Sequence, residues 1–233
     1  MKARNIVVLT GAGISAESGL ATFRGPDGLW EGHRVEDVCT PEALARDPAL
    51  VLGFYDARRR ALGQVAPNAA HLALARLDRD WDGELLIVTQ NVDDLHERAG
   101  ARRLIHIHGE LLSALCRACG ARGAFVGDML EGPACAACGR TDVLRPDIVF
   151  FGEMPYAMEA IEQAVARADL FVSIGTSGAV YPAAGFVRLA SAAGARTLEL
   201  NLEQSAGSVF FDEARHGPAS RLVPAWVDLV LAD

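Results

Sequence analysis

Apolar residues in this chain come in short, nearly continuous runs separated by stretches with helical spacing. NIVVLTG (5–11), LLIVTQN (85–91), LIHIHGE (104–110), DIVFFGE (147–153), LFVSIGT (170–176) and RTLELNL (196–202) are rich in Val, Ile and Leu. Runs of that length without polar alternation predict strands of a parallel sheet covered on both faces. Helical spacing lies between them at about 68–78, 155–168 and 182–193, and PASRLVPAWVDLVLAD predicts a last helix. Strands and helices alternating in this way make a doubly wound α/β fold, with ligands at the carboxyl ends of the strands. Two stretches break the rhythm. Residues 20–66 hold loop signals (GPDGLW) and helical fragments, and residues 111–146 hold cysteines and small residues with little aliphatic periodicity. Both predict insertions that build a smaller second domain.

Composition narrows the class without selecting a function. With 233 residues, 51% of them apolar and 22% charged, the chain has globular rather than disordered character. No apolar run approaches the roughly 18 residues that span a bilayer. The start, MKARNIVVLTGAG, passes directly into a strand pattern without a signal-peptide cleavage region, so a cytoplasmic protein is expected. A net charge of −8 argues against nonspecific nucleic-acid binding and suits cationic partners such as lysine-bearing peptides.

The first strand runs into Gly11-Ala12-Gly13-Ile14-Ser15-Ala16, a G-x-G-x-x-A turn. Such a turn lets a pyrophosphate approach backbone and aims a helix N-terminus at its charge, although an ordinary strand-to-helix turn has the same look. A dehydrogenase would also place Asp or Glu about 20 residues on, at the end of a second strand, to hold a ribose. Asp27 and Glu31 have that spacing but follow Gly25-Pro26 in a loop, so the missing polar groups fall to Asn201-Leu202-Glu203. Hydride transfer is disfavoured. Four of the five cysteines form C-x2-C-x15-C-x2-C: Cys116, Cys119, Cys135 and Cys138. That spacing matches a structural zinc ribbon, whose four thiolates leave no open position for substrate; a redox pair is the weaker alternative. Cys39 stands alone as a small buried apolar residue.

Taken together, GAGISAESGLATFRG (11–25), TQNVDDLHERAG (89–100), IHIHGEL (105–111), the cysteine quartet, RPDIVFFGE (145–153), IGTS (174–177) and NLE (201–203) resemble a sirtuin. Sirtuins are NAD-dependent protein lysine deacylases. The resemblance implies a Rossmann-like NAD-binding domain from residues 1–28, 68–110 and 147–233. It also implies a small domain from a helical module (29–67) and a zinc ribbon (111–146), with NAD and acyl-lysine meeting between the two. NAD would be consumed, releasing nicotinamide, free lysine and O-acyl-ADP-ribose, with a histidine deprotonating a ribose hydroxyl. His108 fits that base as the last strand residue before Gly109. His106, two residues back, is expected to pack; His71 and His96 are expected to be structural, and His33 and His216 carry no signal.

By the same resemblance Gly11, Ala12, Gly13, Ala16, Glu17 and Thr22 belong to the cofactor site, and Phe23 and Arg24 to its mobile loop. Gln90, Asn91 and Asp93 would line the nicotinamide pocket, although Asn91 and Asp93 could equally cap the following helix. Gly175, Thr176, Ser177, Asn201, Leu202, Glu203 and, in a looser alignment, Ala219 would meet phosphates and adenosine. Residues 148–153, with Val149, Phe150, Phe151 and Gly152, would pair with a substrate peptide as an added strand.

The arginine triplet in GFYDARRRAL (53–62) is then divided. GLATFRG, GPDGLW and Y-x-x-R are similar to class III, bacterial-type sirtuins, in which the tyrosine and arginine bind the distal carboxylate of succinyl- or malonyl-lysine. Here these are Tyr55 and Arg58, which share a helix face. Arg59 and Arg60, about 100° and 200° further around, are expected on the solvated side. The expected activity favours acidic acyl groups and retains deacetylation, on acyl-lysine proteins or peptides, with neither nucleic acid nor membrane as partner. A monomer is plausible. A mono-ADP-ribosyltransferase and a non-enzymatic NAD-sensing or zinc-ribbon module are the alternatives.

Overall fold

The computed structural model describes residues 3–22, 30 and 32–232. Nine strands occur among them: β1 (Asn5–Thr10), β2 (Glu84–Thr89), β3 (Leu104–His106), β4 (Gly109–Cys116), β5 (Arg122–Ala124), β6 (Leu144–Ile148), β7 (Leu170–Ile174), β8 (Arg196–Asn201) and β9 (Glu213–His216). The helices are α1 (Gly13–Ala16), α2 (Val35–Val38), α3 (Pro41–Arg46), α4 (Pro48–Leu62), α5 (Ala69–Asp80), α6 (Leu95–Ala99), α7 (Met158–Val165), α8 (Phe186–Ala192) and α9 (Ala219–Ala232).

Six strands form a parallel sheet in the order β3-β2-β1-β7-β8-β9, the Rossmann-like, doubly wound arrangement that the apolar runs predict. Alternate residues of each buried strand supply opposite faces, which explains the absence of polar alternation. Ile6 and Val8 of β1 join Val172 of β7 beneath Leu74 and Leu77 of α5 and Trp226 of α9. Val7 and Leu9 face the other way with Phe171, under Ile161 of α7 and Phe186 of α8. Among the described residues no helix is long and apolar enough to cross a membrane.

Two of the six expected strands depart from the expectation. The 104–110 run does not continue as one strand: β3 stops at His106, residues 107 and 108 turn, and Gly109 opens β4 with φ +83. A Cβ at Gly109 would lie 2.0 Å from the Asp147 carbonyl oxygen, so glycine is what lets the chain leave one sheet and cross onto β6. The 147–153 run is not in the parallel sheet at all. Its first residues end β6, in an antiparallel sheet ordered β5-β4-β6, and residues 149–153 form a turn. Its apolarity comes from a different core: Ile148 and Phe150 pack with Leu111 against Val38, Leu44, Val51, Phe54 and Tyr55 of the helical segment. Cys39 is buried in the same cluster, as expected.

Candidate active site

Every loop that carries a candidate cofactor residue, and the turn that carries His108, leaves the carboxyl edge of a parallel strand. Residues 11–17 follow β1, 90–93 follow β2, 108 follows β3, 175–177 follow β7, 201–203 follow β8, and Ala219 follows β9. The edge is centred on β1 and β7, where the strand order reverses direction and doubly wound folds open a crevice. There the glycines let two loops close on each other: Gly13 N–H donates to the Gly175 carbonyl at 2.9 Å, and a Cβ at Gly13 would stand 2.7 Å from Gly175 Cα. The helix after this turn, Gly13–Ala16, has only four residues, so its dipole contributes little and the expected helix-terminus charge is not available. Asn201 Nδ2 donates to the Thr176 carbonyl at 2.8 Å, tying the β7 and β8 loops. Glu17 accepts from the Ser220 hydroxyl at 2.7 Å and the Ser220 amide at 2.9 Å, which bring Glu17 and Ala219 together and hold the Glu17 pKa low. Ala16, Thr22, Ser177, Leu202 and Glu203 are exposed along the edge, and Phe23 and Arg24 lie outside the described residues.

Behind the edge is a buried polar network centred on Ser15. Asn68 N–H donates to His71 Nδ1, so the His71 proton sits on Nε2 and points at Ser15 Oγ, 3.3 Å away. Asn91 Nδ2 donates to the same hydroxyl at 3.1 Å, and Ser15 passes its own proton to Asp93 Oδ2 at 3.0 Å. The capping alternative is half right. Asp93 Oδ1 accepts from Leu95 N at the start of α6, whereas Asn91 caps nothing and turns its amide into the network. Burial raises the pKa of Asp93 and lowers those of His71 and His96 to about 4 and about 3, so both histidines stay neutral structural groups, as expected. Ser15 was present in the quoted glycine motif, but its role becomes visible only when β1 and β2 are neighbours.

His108 lies in the turn after β3 rather than at the end of a strand, half-buried. Its Nδ1 faces the Gln90 carbonyl at 3.2 Å, and its own carbonyl accepts from Val149 N at 2.9 Å. A carbonyl can only accept, so Nδ1 carries the proton and Nε2 keeps its lone pair, with no hydrogen bond to any described residue. Burial lowers the pKa against the opposing pull of the Gln90 carbonyl, which keeps the ring neutral at neutral pH. The ring is therefore a base with its tautomer already set.

Above this turn Tyr55 is completely buried, stacked on Phe150 at 5.8 Å and edge-on to Trp30 and Phe54. Its hydroxyl lies beside the Cys39 thiol without a hydrogen bond of good geometry. The Arg58 guanidinium stands over the Trp30 ring at 4.4 Å, one helical turn from Tyr55. Arg60 is on the wet side, paired with Asp128 in an exposed contact. Arg59 is not. It is 4% exposed and donates to Asp56 Oδ1 (2.7 Å), the Leu111 carbonyl (3.0 Å) and the Gly127 carbonyl (3.1 Å). Asp56 in turn accepts the amides of Met129 and Leu130, each at 3.0 Å. Helix α4 is covered on two sides, by the aromatic cluster and by the 125–130 segment, so reading it as a helix with one buried face misplaces Arg59.

The turn expected to receive a peptide strand has its donors engaged. Val149 N bonds His108 O, Phe151 N bonds Cys39 O at 3.0 Å, and Phe150 N bonds Glu153 Oε2 at 2.8 Å. Phe150 is 1% exposed and belongs to the core, which leaves Phe151 and Gly152 as the outward residues.

The four paired cysteines converge. Their sulfurs all lie within 4.8 Å of one another, with Cys116–Cys138 and Cys119–Cys135 at 3.8 Å. Metal–sulfur bonds of about 2.3 Å around a tetrahedron put sulfurs about 3.8 Å apart, so the quartet is positioned to bind a metal ion.

A doubly wound sheet binds its ligands in the crevice at its switch point, and comparison with known proteins narrows the class to a family. The Sir2 family model matches residues 11–182. An NAD-dependent protein deacylase of Pasteurella multocida is 58% identical over 224 residues, 95% of this chain and 96% of its own. One from Trypanosoma brucei brucei is 56% identical over 230 residues, 97% and 94% of the two chains. Among solved structures, a Sir2 homologue in complex with NAD has a TM-score of 0.90 at 38% identity, covering 98% of this chain and 90% of its own. The chain belongs to the Sir2 family.

Proposed function

We propose that the chain removes acyl groups from protein lysines with consumption of NAD, releasing nicotinamide and O-acyl-ADP-ribose. It favours succinyl and malonyl groups and retains deacetylation. The observation that carries this reading is His108, a neutral imidazole fixed by Gln90 whose Nε2 has no hydrogen bond to a described residue. The chemistry NAD supplies when bound is a ribose carbon activated by the departure of nicotinamide. The residues present fit it. Gly11, Gly13 and Gly175 close two loops without intervening side chains, Ala12, Ala16, Glu17, Thr22, Thr176, Ser177, Asn201, Leu202, Glu203 and Ala219 share their edge, and Phe23 and Arg24 follow Thr22 in the sequence. Gln90, Asn91 and Asp93 form the nicotinamide side, with Asn91 aimed by Ser15. His108 Nε2 takes the proton of a ribose hydroxyl. Phe151 and Gly152, with Val149, border the path of the peptide, and the helical and cysteine segments form the smaller domain. The test is NAD-dependent nicotinamide release across a panel of acyl-lysine peptides, with mass spectrometry to separate deacylation from ADP-ribosylation.

Acyl preference rests on Tyr55 and Arg58. A buried hydroxyl lacking a good partner, one turn from a guanidinium, suits an incoming carboxylate. Charge-assisted bonds of about 1.5–3 kcal/mol translate into roughly one to two orders of magnitude of selectivity. Arg58→Met is expected to raise KM for succinyl-lysine peptides by that factor and to leave acetyl-lysine turnover within about threefold. Equal loss on both peptides would count against the assignment.

The cysteine site fits zinc, held by four thiolates with no vacancy for substrate. Metal removal is expected to unfold the ribbon, because the cysteine-bearing segments contribute few large buried side chains. Elemental analysis finding one zinc per chain, and loss of both metal and thermal stability in Cys135→Ser, would agree. A metal-free chain with unchanged melting would not.

A further inference from the structure

His106, expected to do no more than pack, has both ring nitrogens against oxygen acceptors. Nδ1 is 2.9 Å from the Asn91 carbonyl, and Nε2 is 2.6 Å from Glu97 Oε1 on α6. A neutral imidazole has one donor and one acceptor, so it satisfies one of these oxygens and turns a lone pair on the other. Its side chain is 8% exposed, which leaves water little access to repair the mismatch. We propose that His106 is a positioning residue that works as an imidazolium, clamping the Asn91 carbonyl to Glu97 and so holding the loop that presents Asn91 and Asp93 to the nicotinamide side. The functional half of this inference rests on the deacylase reading above.

The charges around the ring favour the cation. Glu97 faces it from α6 and Glu110 from β4, with their oxygens and the ring nitrogen within 4.8 Å of one another. Asp93 lies near enough to feel its charge, and the neighbouring His96 ring stays neutral. Burial works against protonation, but the Glu97 hydrogen bond and charge, the Asn91 carbonyl and Glu110 outweigh it and raise the His106 pKa. A divalent ion shared by His106 and Glu97 would hold their ligand atoms about 3 Å apart or more, so the 2.6 Å contact is a hydrogen bond. Two residues along, His108 is pushed the opposite way by burial. Opposed environments on neighbouring histidines assign the base to one and the fixed cation to the other.

The sign follows. A clamp with a raised pKa is intact below the ordinary histidine value and is lost as pH rises through the raised one. His108 sets the acid limb of kcat/KM and His106 the alkaline limb. The experiment is a proton NMR titration of the His106 ring, assigned as the resonance missing from His106→Gln, alongside pH profiles of kcat/KM. The expected midpoint lies above about 6.5. In Glu97→Gln the amide donates to Nε2 and a neutral ring satisfies both partners; its midpoint should fall by about one unit or more and the alkaline limb should disappear. His106→Gln should lower kcat by about 10- to 100-fold with little change in peptide KM. A wild-type midpoint at or below 6.5, or a Glu97→Gln profile that superimposes on the wild type, overturns the clamp. If no acyl peptide releases nicotinamide, the deacylase reading fails, and the titration still decides the charge on His106.

Discussion

His108→Ala is expected to lower NAD-dependent deacylation by about 10²–10⁴-fold, the range for removing a positioned general base. Among the described residues the ring makes one hydrogen bond, Nδ1 to the Gln90 carbonyl, and the main-chain bond from Val149 to the His108 carbonyl is untouched by the substitution. The fold should therefore survive with its melting temperature close to that of the wild type. Peptide and NAD affinity, measured by calorimetry, should change far less than kcat. Because burial lowers the His108 pKa, the wild-type rate should fall as pH drops through a value below the ordinary 6.5, and this acid limb should vanish in the residual activity of the variant. A variant retaining more than a tenth of the wild-type kcat/KM would remove His108 from the chemistry.

Asp56→Ala is expected to be the most destabilising single change. It leaves the Arg59 guanidinium buried without its counter-ion and strips the Met129 and Leu130 amides of their acceptor. Breaking one partner of a buried pair costs about 3–5 kcal/mol. For a chain of this size that is roughly 6–20 °C in melting temperature. Replacing both charges at once, as Asp56→Leu with Arg59→Met, removes the uncompensated cation and should recover part of the loss. Differential scanning calorimetry of the single and double variants decides the point. Both variants lack the acceptor for the Met129 and Leu130 amides, so a double variant less stable than Asp56→Ala would mean that the Arg59 bonds to the Leu111 and Gly127 carbonyls outweigh the cost of its unpaired charge.

What could be read from residue order and what could not divide along physical lines. β1 and β7 announced themselves because strands buried on both faces must be apolar throughout. β9, EARH, carries charge and sits at the sheet edge, where one side of the strand is wet, so hydropathy is silent about it. The 147–153 run looked like one more central strand because a buried turn and a buried strand have the same composition; only pairing with β4 and packing against Tyr55 separate them. Arg59 was misplaced because its burial depends on a segment beginning 68 positions away at Gly127, beyond any helical periodicity. The two oxygen partners of His106 have no signal in residue order, because Asn91 and Glu97 reach it from the loop after β2 and from α6, and neither contact has a local signature. The cysteines and the glycine turn were legible because their chemistry is encoded in spacing itself.

The tie between Glu17 and Ser220 joins residues 203 positions apart. Synthesis on a ribosome therefore delivers one side of that contact 203 residues before the other. β1 can meet β2 early, but β7, β8 and α9, which complete the crevice and anchor Glu17, emerge after the cysteine segments. A nascent chain can close its cysteine ribbon well before it can close its crevice. An arrested chain lacking α9 is therefore expected to have its four cysteines in place for a metal while its crevice stays open.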